Sequence, residues 1–221
     1  MPRFLTAGAG AVALGLSVAA TSMLAAQTCV GYAPFANAPV RVAGDFAIAD
    51  HATTYGASVV GGDEQPGLFG GASLSGTRFD GTNSTGKNLG LSGGFSLPLV
   101  TLPGTEICPV IDYTHAWGPN SGGFDVSSNA VSIGGAIGHQ FPATPTLMLV
   151  PFADVRWLHA STKVSSGGAS STGSDNLGVL TLGSGIMFSK TVTLRPALEI
   201  PFNDNNSSTV FLISIGFGFG K

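Results

Sequence analysis

The chain predicts an all-β protein, a closed, antiparallel, up-and-down transmembrane β-barrel of about ten strands. Three observations predict it. Beyond residue 39 the hydrophobic period is two rather than that of a helix. The two faces of each segment differ in size, with Val, Ile, Leu and Phe on one and Gly, Ser and Ala on the other. Charge is scarce: nine Lys or Arg and twelve Asp or Glu make up 10% of 221 residues, against about a quarter in soluble domains. A soluble sandwich would place Lys and Glu on its small-residue face, where water meets it. A narrow barrel in lipid needs the opposite, with apolar residues outside and small or polar ones inside. Glycine, at 33 residues, is roughly twice its usual share and suits a cramped lumen. A net charge of −3 excludes a strongly basic nucleic-acid binder. The frequent Val, Ile, Leu and Phe, with so little net charge, exclude a disordered chain.

Residues 1–27 read as a signal peptide. Arg3 supplies the basic start, Ala7 to Ala20 the apolar run, and Ala25-Ala26-Gln27 the small-residue close. The run is shorter than the ~20 residues of a helical span. Gln27-Thr28 before Cys29 does not match a lipoprotein signal. Residues 28–39 are expected to be a periplasmic N-terminal segment, and 40–221 the barrel.

The alternation places strands at roughly 40–49, 54–61, 68–79, 88–99, 106–117, 129–141, 147–162, 176–189, 192–202 and 209–220. In the last strand Phe211, Ile213, Ile215, Phe217 and Phe219 oppose Leu212, Ser214, Gly216 and Gly218. Longer polar loops are expected at Asp80–Lys87, Gly118–Asn129, Lys163–Asp175 and Asn203–Ser208. Shorter links are expected at Gly61–Gly67, Val100–Thr105, Pro142–Thr146 and Lys190–Thr191. Long loops at one end and short turns at the other are the outer-membrane pattern. An eight-strand alternative makes residues 40–61 a tail or plug.

Seven charges fall inside strands on the small-residue face: Arg41, Asp45, Asp112, Asp154, Arg156, Arg195 and Glu199. Opposite charges in a narrow lumen are expected to pair, because a buried lone charge is costly. Arg78 falls on an apolar face near a strand end, where it can snorkel. The aromatics form two girdles. Tyr55, Tyr113, Trp117, Trp157, Phe202 and Phe211 fall near the loop end, and Phe95, Phe141, Phe188, Phe217 and Phe219 near the turn end; Phe152 is the exception. Cys29 and Cys108 fit an oxidising compartment. They are either one disulfide, tethering the N-terminal segment to the barrel mouth, or two buried free thiols.

The signal, the ten-residue alternation, the Tyr55-Gly56-Ala57-Ser58 and Phe69-Gly70-Gly71-Ala72-Ser73 segments and the terminal Phe217-Gly218-Phe219 together resemble a bacterial outer-membrane β-barrel protein of the small OmpA-like group. The resemblance covers about 28–221. Barrels of that group usually end in an aromatic residue read by the assembly machinery; here Gly220-Lys221 follow Phe219. The resemblance implies a bacterial outer-membrane location, contact with outer-membrane lipid and lipopolysaccharide, and the barrel-assembly machinery as partner during biogenesis. It also implies a structural, adhesive or surface-interaction role with a filled lumen, and no cofactor. A narrow pore or minor transporter is the alternative.

Other motifs carry little. Gly61-Gly62-Asp63-Glu64-Gln65 resembles a cyclic-dinucleotide synthase signature but reads as an acidic turn. Gly90-Leu91-Ser92-Gly93-Gly94 has the nucleophile-elbow spacing but lies within a strand. His159 and Ser161 stand at i and i+2 on one face of a strand, as a His–Ser pair of a lipid A esterase would. No third member can be placed, so no catalytic residue is assigned. His51, His115 and His139 have no metal-site spacing.

Overall fold

A computed structural model describes residues 28–32, 38–63, 67–81, 85–118, 124–188, 191–203 and 207–220. The expected signal peptide, 1–27, lies outside the described residues. Ten long strands form the wall: β1 (Val40–Ala49), β2 (Ala52–Gly62), β3 (Leu68–Phe79), β4 (Thr85–Phe95), β5 (Thr105–Trp117), β6 (Phe124–His139), β7 (Leu147–Ser166), β8 (Ala169–Met187), β9 (Val192–Phe202) and β10 (Val210–Phe219). Two short segments, Leu97–Pro98 and Phe141–Thr144, extend the pairing beside β5 and β7.

The sheet closes on itself. β1 pairs with β2 from Val40↔Gly61 to Ala49↔Ala52, and with β10 from Val40↔Phe219 to Ile48↔Phe211. β8 pairs with both β7 and β9. Every wall strand therefore has a neighbour on each side, which is what a β-structure needs to satisfy its backbone in lipid. β1 and β2 are full members of the wall, so the eight-strand alternative is excluded.

Burial follows the alternation, inside out relative to a soluble protein. In β1, Arg41, Ala43, Asp45 and Ala47 are buried while Val40, Val42, Phe46 and Ile48 are exposed. The same holds around the wall, where Leu74, Leu91, Ile111, Ile133, Val155, Leu198 and Ile215 face outward. Lipid, not water, is the solvent such a surface fits.

The expected loop asymmetry is not what the structure shows. Lys163–Asp175 is not a loop: β7 and β8 stay paired from Ala169↔Ser166 onward, around a turn at Gly167-Gly168. Both turn glycines have positive φ, 57° and 86°, as a two-residue hairpin turn of this hand requires. The β1–β2 turn, at Asp50-His51, is equally tight, with His51 at φ 65°. At the opposite end the β4–β5 and β6–β7 links are the more extended ones. The ends differ instead in strand reach. β6 pairs with β7 out to Phe124↔Ser166, whereas among the described residues its pairing with β5 runs to Trp117↔Ser127 and the Gly118 N–H to Val126 carbonyl bond. β8 meets β9 only from Gly178↔Phe202. A three-stranded polar sheet of β6, β7 and β8 thus projects past the rim. Ser, Thr and Gly prefer loops as isolated residues, but continuous cross-strand pairing overrides that preference here.

Candidate functional site: the lumen and the hairpin-end rim

The lumen is filled in three layers. At the hairpin end, Leu158, Leu177, Val179, Val210 and Leu212 pack with Ala47, Ala130 and Ala160; Leu158 and Leu177 are 1% and 0% exposed. The sequence alternation puts Leu212 on the small-residue face; the structure adds the others to it. Their size closes this end.

The middle layer holds the charges. Arg156, on β7, lies between Asp112 of β5 and Asp154 of its own strand. It contacts Asp112 at Nη1, and its Nη2 lies 2.5 Å from Asp154 Oδ2. Asp112 also accepts from Ser132 Oγ at 2.9 Å. Glu199 adds to the negative field at Arg156. On the other side, Asp45 accepts from Ser58 Oγ at 2.9 Å and from Ser214 Oγ. Pairing with hydrogen bonds to the remaining lone pairs makes such burial tolerable.

The third layer, at the end carrying Val40 and Phe219, is the chain itself. Residues 28–32 are buried inside the barrel, not tethered at its mouth as the sequence suggests. Cys29 is bonded to Cys108 of β5, with Cα atoms 6.0 Å apart. Gln140 Nε2 donates to Thr28 Oγ1 at 2.8 Å. Arg195 Nε of β9 donates to the Val30 carbonyl at 2.8 Å, and its guanidinium lies over the Tyr32 and Phe152 rings, 5.4 and 4.6 Å from their centroids. The Ser214 hydroxyl gives its proton to Asp45, so the Tyr32 hydroxyl donates to Ser214 Oγ, 3.1 Å away. The segment is a crossbar from β5–β6 to β9–β10.

All seven expected lumen charges are buried on the inner face. The structure joins Asp112, Asp154 and Arg156. It gives Arg195 to the crossbar, and leaves the Arg41 guanidinium without a hydrogen-bond partner among the described residues. Glu106, 1% exposed, is an eighth lumen charge. It accepts from Ser96 Oγ at 2.9 Å and lies beside the disulfide. The sequence assigns it to a strand end, but its i, i+2 relation to Cys108 was the available signal. Phe152 departs from the girdles because it points inward, against Gly31 and Gly183. The eleven girdle aromatics, Tyr55, Phe95, Tyr113, Trp117, Phe141, Trp157, Phe188, Phe202, Phe211, Phe217 and Phe219, are all exposed on the outer side.

Near the hairpin end, the outer face of β4–β7 carries rows in direct register. Lys87, Trp117, Ser127 and Lys163 form one; Leu89, His115, Asn129 and Ser161 the next; Leu91, Tyr113, Val131 and His159 the third. Asn129 Oδ1 accepts from the Tyr113 hydroxyl at 2.8 Å and meets His115 Nδ1 at 2.7 Å. His159 Nδ1 pairs with Asn176 at 2.9 Å. His159 and Ser161 share the outer face but do not bond each other. Leu91, Tyr113 and Val131 of the third row, with Gly93 and Ile111 beneath it, line a shallow groove of about 300 Å³.

The closed, even-numbered antiparallel wall with an apolar exterior and a polar, ion-paired interior is that of a bacterial outer-membrane β-barrel. No family model and no curated protein matches the chain. Among solved structures, it is similar to the N-terminal β-barrel domain of OprF from Pseudomonas aeruginosa, at 11% identity over 81% of this chain and 96% of that one, TM-score 0.38. Neisserial surface protein A is similar at 14% identity over 82% and 97%, TM-score 0.42. The translocator domain of the autotransporter NalP from Neisseria meningitidis is similar at 11% over 81% and 87%, TM-score 0.45.

Proposed function

We propose that the protein is a closed structural barrel of the outer membrane that serves membrane architecture and surface contact rather than conduction. The observation that carries this reading is the doubly blocked lumen: Leu158 and Leu177 fill one end, and residues 28–32 cross the other. In this reading residues 1–27 are removed on export, and 28–39 start from the periplasmic side. The end holding Val40 and Phe219 then faces the periplasm, and the β6–β7–β8 sheet stands on the cell surface. That sheet is polar and wholly exposed from Ala169 to Asn176. It offers backbone and hydroxyl contacts with few anchor side chains, which suits low-affinity adhesive contact.

Two measurements test this. Purified protein in a planar bilayer is expected to give no steady conductance; steady conductance overturns the closed-barrel reading. An epitope inserted between Gly167 and Gly168 is expected to bind antibody on intact cells. Binding only after permeabilisation overturns the orientation.

A further inference from the structure

Arg41 stands apart from the other lumen charges. It is 3% exposed, and none of its three guanidinium nitrogens has a hydrogen-bond partner among the described residues. An arginine cannot shed its proton as a buried Lys can. Its charge must be balanced by another group, because a buried lone cation is costly. The lumen carboxylates do not reach it. Asp45 is four residues along β1, roughly 13 Å at the strand rise, and is held by Ser58 and Ser214. Glu199 stands beside Val210, at the far end of β10 from Gly218. Glu106 and Asp112 lie on β5 and Asp154 on β7, each four strands from β1 around the wall. Residues 33–37, Ala-Pro-Phe-Ala-Asn, hold no acidic side chain.

The register shows where the guanidinium goes. Arg41 is opposite Gly218, whose N–H donates to the Thr191 carbonyl at 2.7 Å. A Cβ on Gly218 would lie 3.3 Å from Arg41 Nη1, so the side chain crosses this glycine from β1 towards β9. One row further in, Ala43, Gly216 and Thr193 are in register. Thr193 is 0% exposed, and its hydroxyl also has no hydrogen-bond partner among the described residues. Tyr32 and Ala38 roof the two glycines: a Cβ on Gly216 would meet the Tyr32 ring at 3.2 Å, and one on Gly218 the Ala38 Cβ at 2.6 Å. We infer that this end of the lumen holds one small monovalent anion, of the halide class, between Arg41 and Thr193. A halide accepts from a guanidinium and a hydroxyl together without angular demand, and its single charge matches the single cation. The roof sets the size, since Tyr32 and Ala38 are themselves buried and leave no open path for a bulky oxoanion. Arg195, 5.4 Å from the Tyr32 centroid, adds to the positive field there.

The site does not depend on which end of the barrel faces the periplasm. The folded full-length barrel in neutral detergent is crystallised from sodium bromide, and is unfolded in urea over a chloride series at constant ionic strength, with gluconate as the replacement. An anomalous bromide peak is expected between Arg41 and Thr193. Each tenfold rise in chloride above its dissociation constant is expected to lower the unfolding constant about tenfold, the slope of one bound ion. R41M is expected to lose both peak and slope. Without chloride it is expected to unfold no more readily than the wild type, which then carries an uncompensated cation. T193V is expected to keep the slope but to need about tenfold more chloride. R78Q, which removes an exposed arginine, is expected to keep peak and slope. The heat-modifiable gel shift confirms that each variant is folded, and T193V serves if R41M is not. No bromide at Arg41, or a chloride slope that folded R41M retains, overturns the site. A sulfate dependence without a chloride one overturns the halide assignment. No chloride slope in the wild type also overturns the site, and its appearance in E64Q then gives the counter-charge to Glu64.

Discussion

Gly138 faces the carbonyl of Thr28: a Cβ on Gly138 would lie 1.9 Å from that oxygen. Gly185 stands in the same relation to Gly31, at 2.0 Å from its carbonyl. Two glycines from different strands are therefore shaped around the crossbar backbone. A barrel of ten strands is wider than the eight whose interior side chains alone can fill. Here a length of chain takes up the difference.

Gly138→Val is expected to cost about 3 kcal/mol or more by overpacking, or to expel residues 28–32. Gly135→Ala, whose new methyl meets nothing closer than 4.0 Å, is the control. The heat-modifiable transition temperature compares them; equal transitions contradict the fit.

Breaking the disulfide removes a cross-link between residues separated by 79 positions. Cys29→Ser/Cys108→Ser is expected to lose about 4 kcal/mol, since a long closed loop constrains the unfolded chain strongly. Denaturant midpoints with and without reductant measure this. Two alkylatable thiols in the native protein would show that the bond is absent.

Arg156 holds two carboxylates. Arg156→Ala is expected to destabilise by about 3–5 kcal/mol, because Asp112 and Asp154 are left buried without their cation. Adding Asp112→Asn and Asp154→Asn to Arg156→Met is expected to recover most of the loss. Chemical denaturation of the refolded proteins gives the comparison, and a fully additive triple variant argues against coupling.

The two blocks of the lumen act in series. Deleting residues 28–39 alone is expected to leave the barrel non-conducting, as is Leu158→Gly/Leu177→Gly alone. The two changes together are expected to conduct. The unblocked lumen is lined by Asp45, Glu106, Asp112, Asp154 and Glu199 against Arg41, Arg156 and Arg195, so cations are expected to pass in preference. Single-channel recording and reversal potentials decide both points; conductance from either single change shows that only one block is real.

The wall was largely legible in the sequence. The period-two pattern places β1, β3 and β9 within a residue at each end; in β1 and β9 apolar residues for lipid alternate with small or charged ones for the lumen. Arg41, Asp45, Asp112, Asp154, Arg156, Arg195 and Glu199 declare themselves by standing in the small-residue register. Legibility fails where composition and pairing disagree. Ser165, Ser166, Ser170 and Ser171 read as loop, yet they continue β7 and β8 because each faces a paired neighbour. Glu106 stands at the start of β5, where composition reads as a strand end; only its parity with Cys108 two residues on marks it as facing the lumen.

The sequence by itself determined the class of solvent on each face, the strand count to within one hairpin, and seven of the eight charges buried among the described residues. Local periodicity carries that information, since each residue's side of the sheet depends only on parity. The tertiary structure alone decided what fills the lumen. That residues 28–32 cross it, that Gly138 and Gly185 make room for them, that Arg195 reaches the Val30 carbonyl, and that Lys87 and Lys163 share a row all depend on register between strands distant in the chain. Register is a property of closure, and no local pattern encodes it.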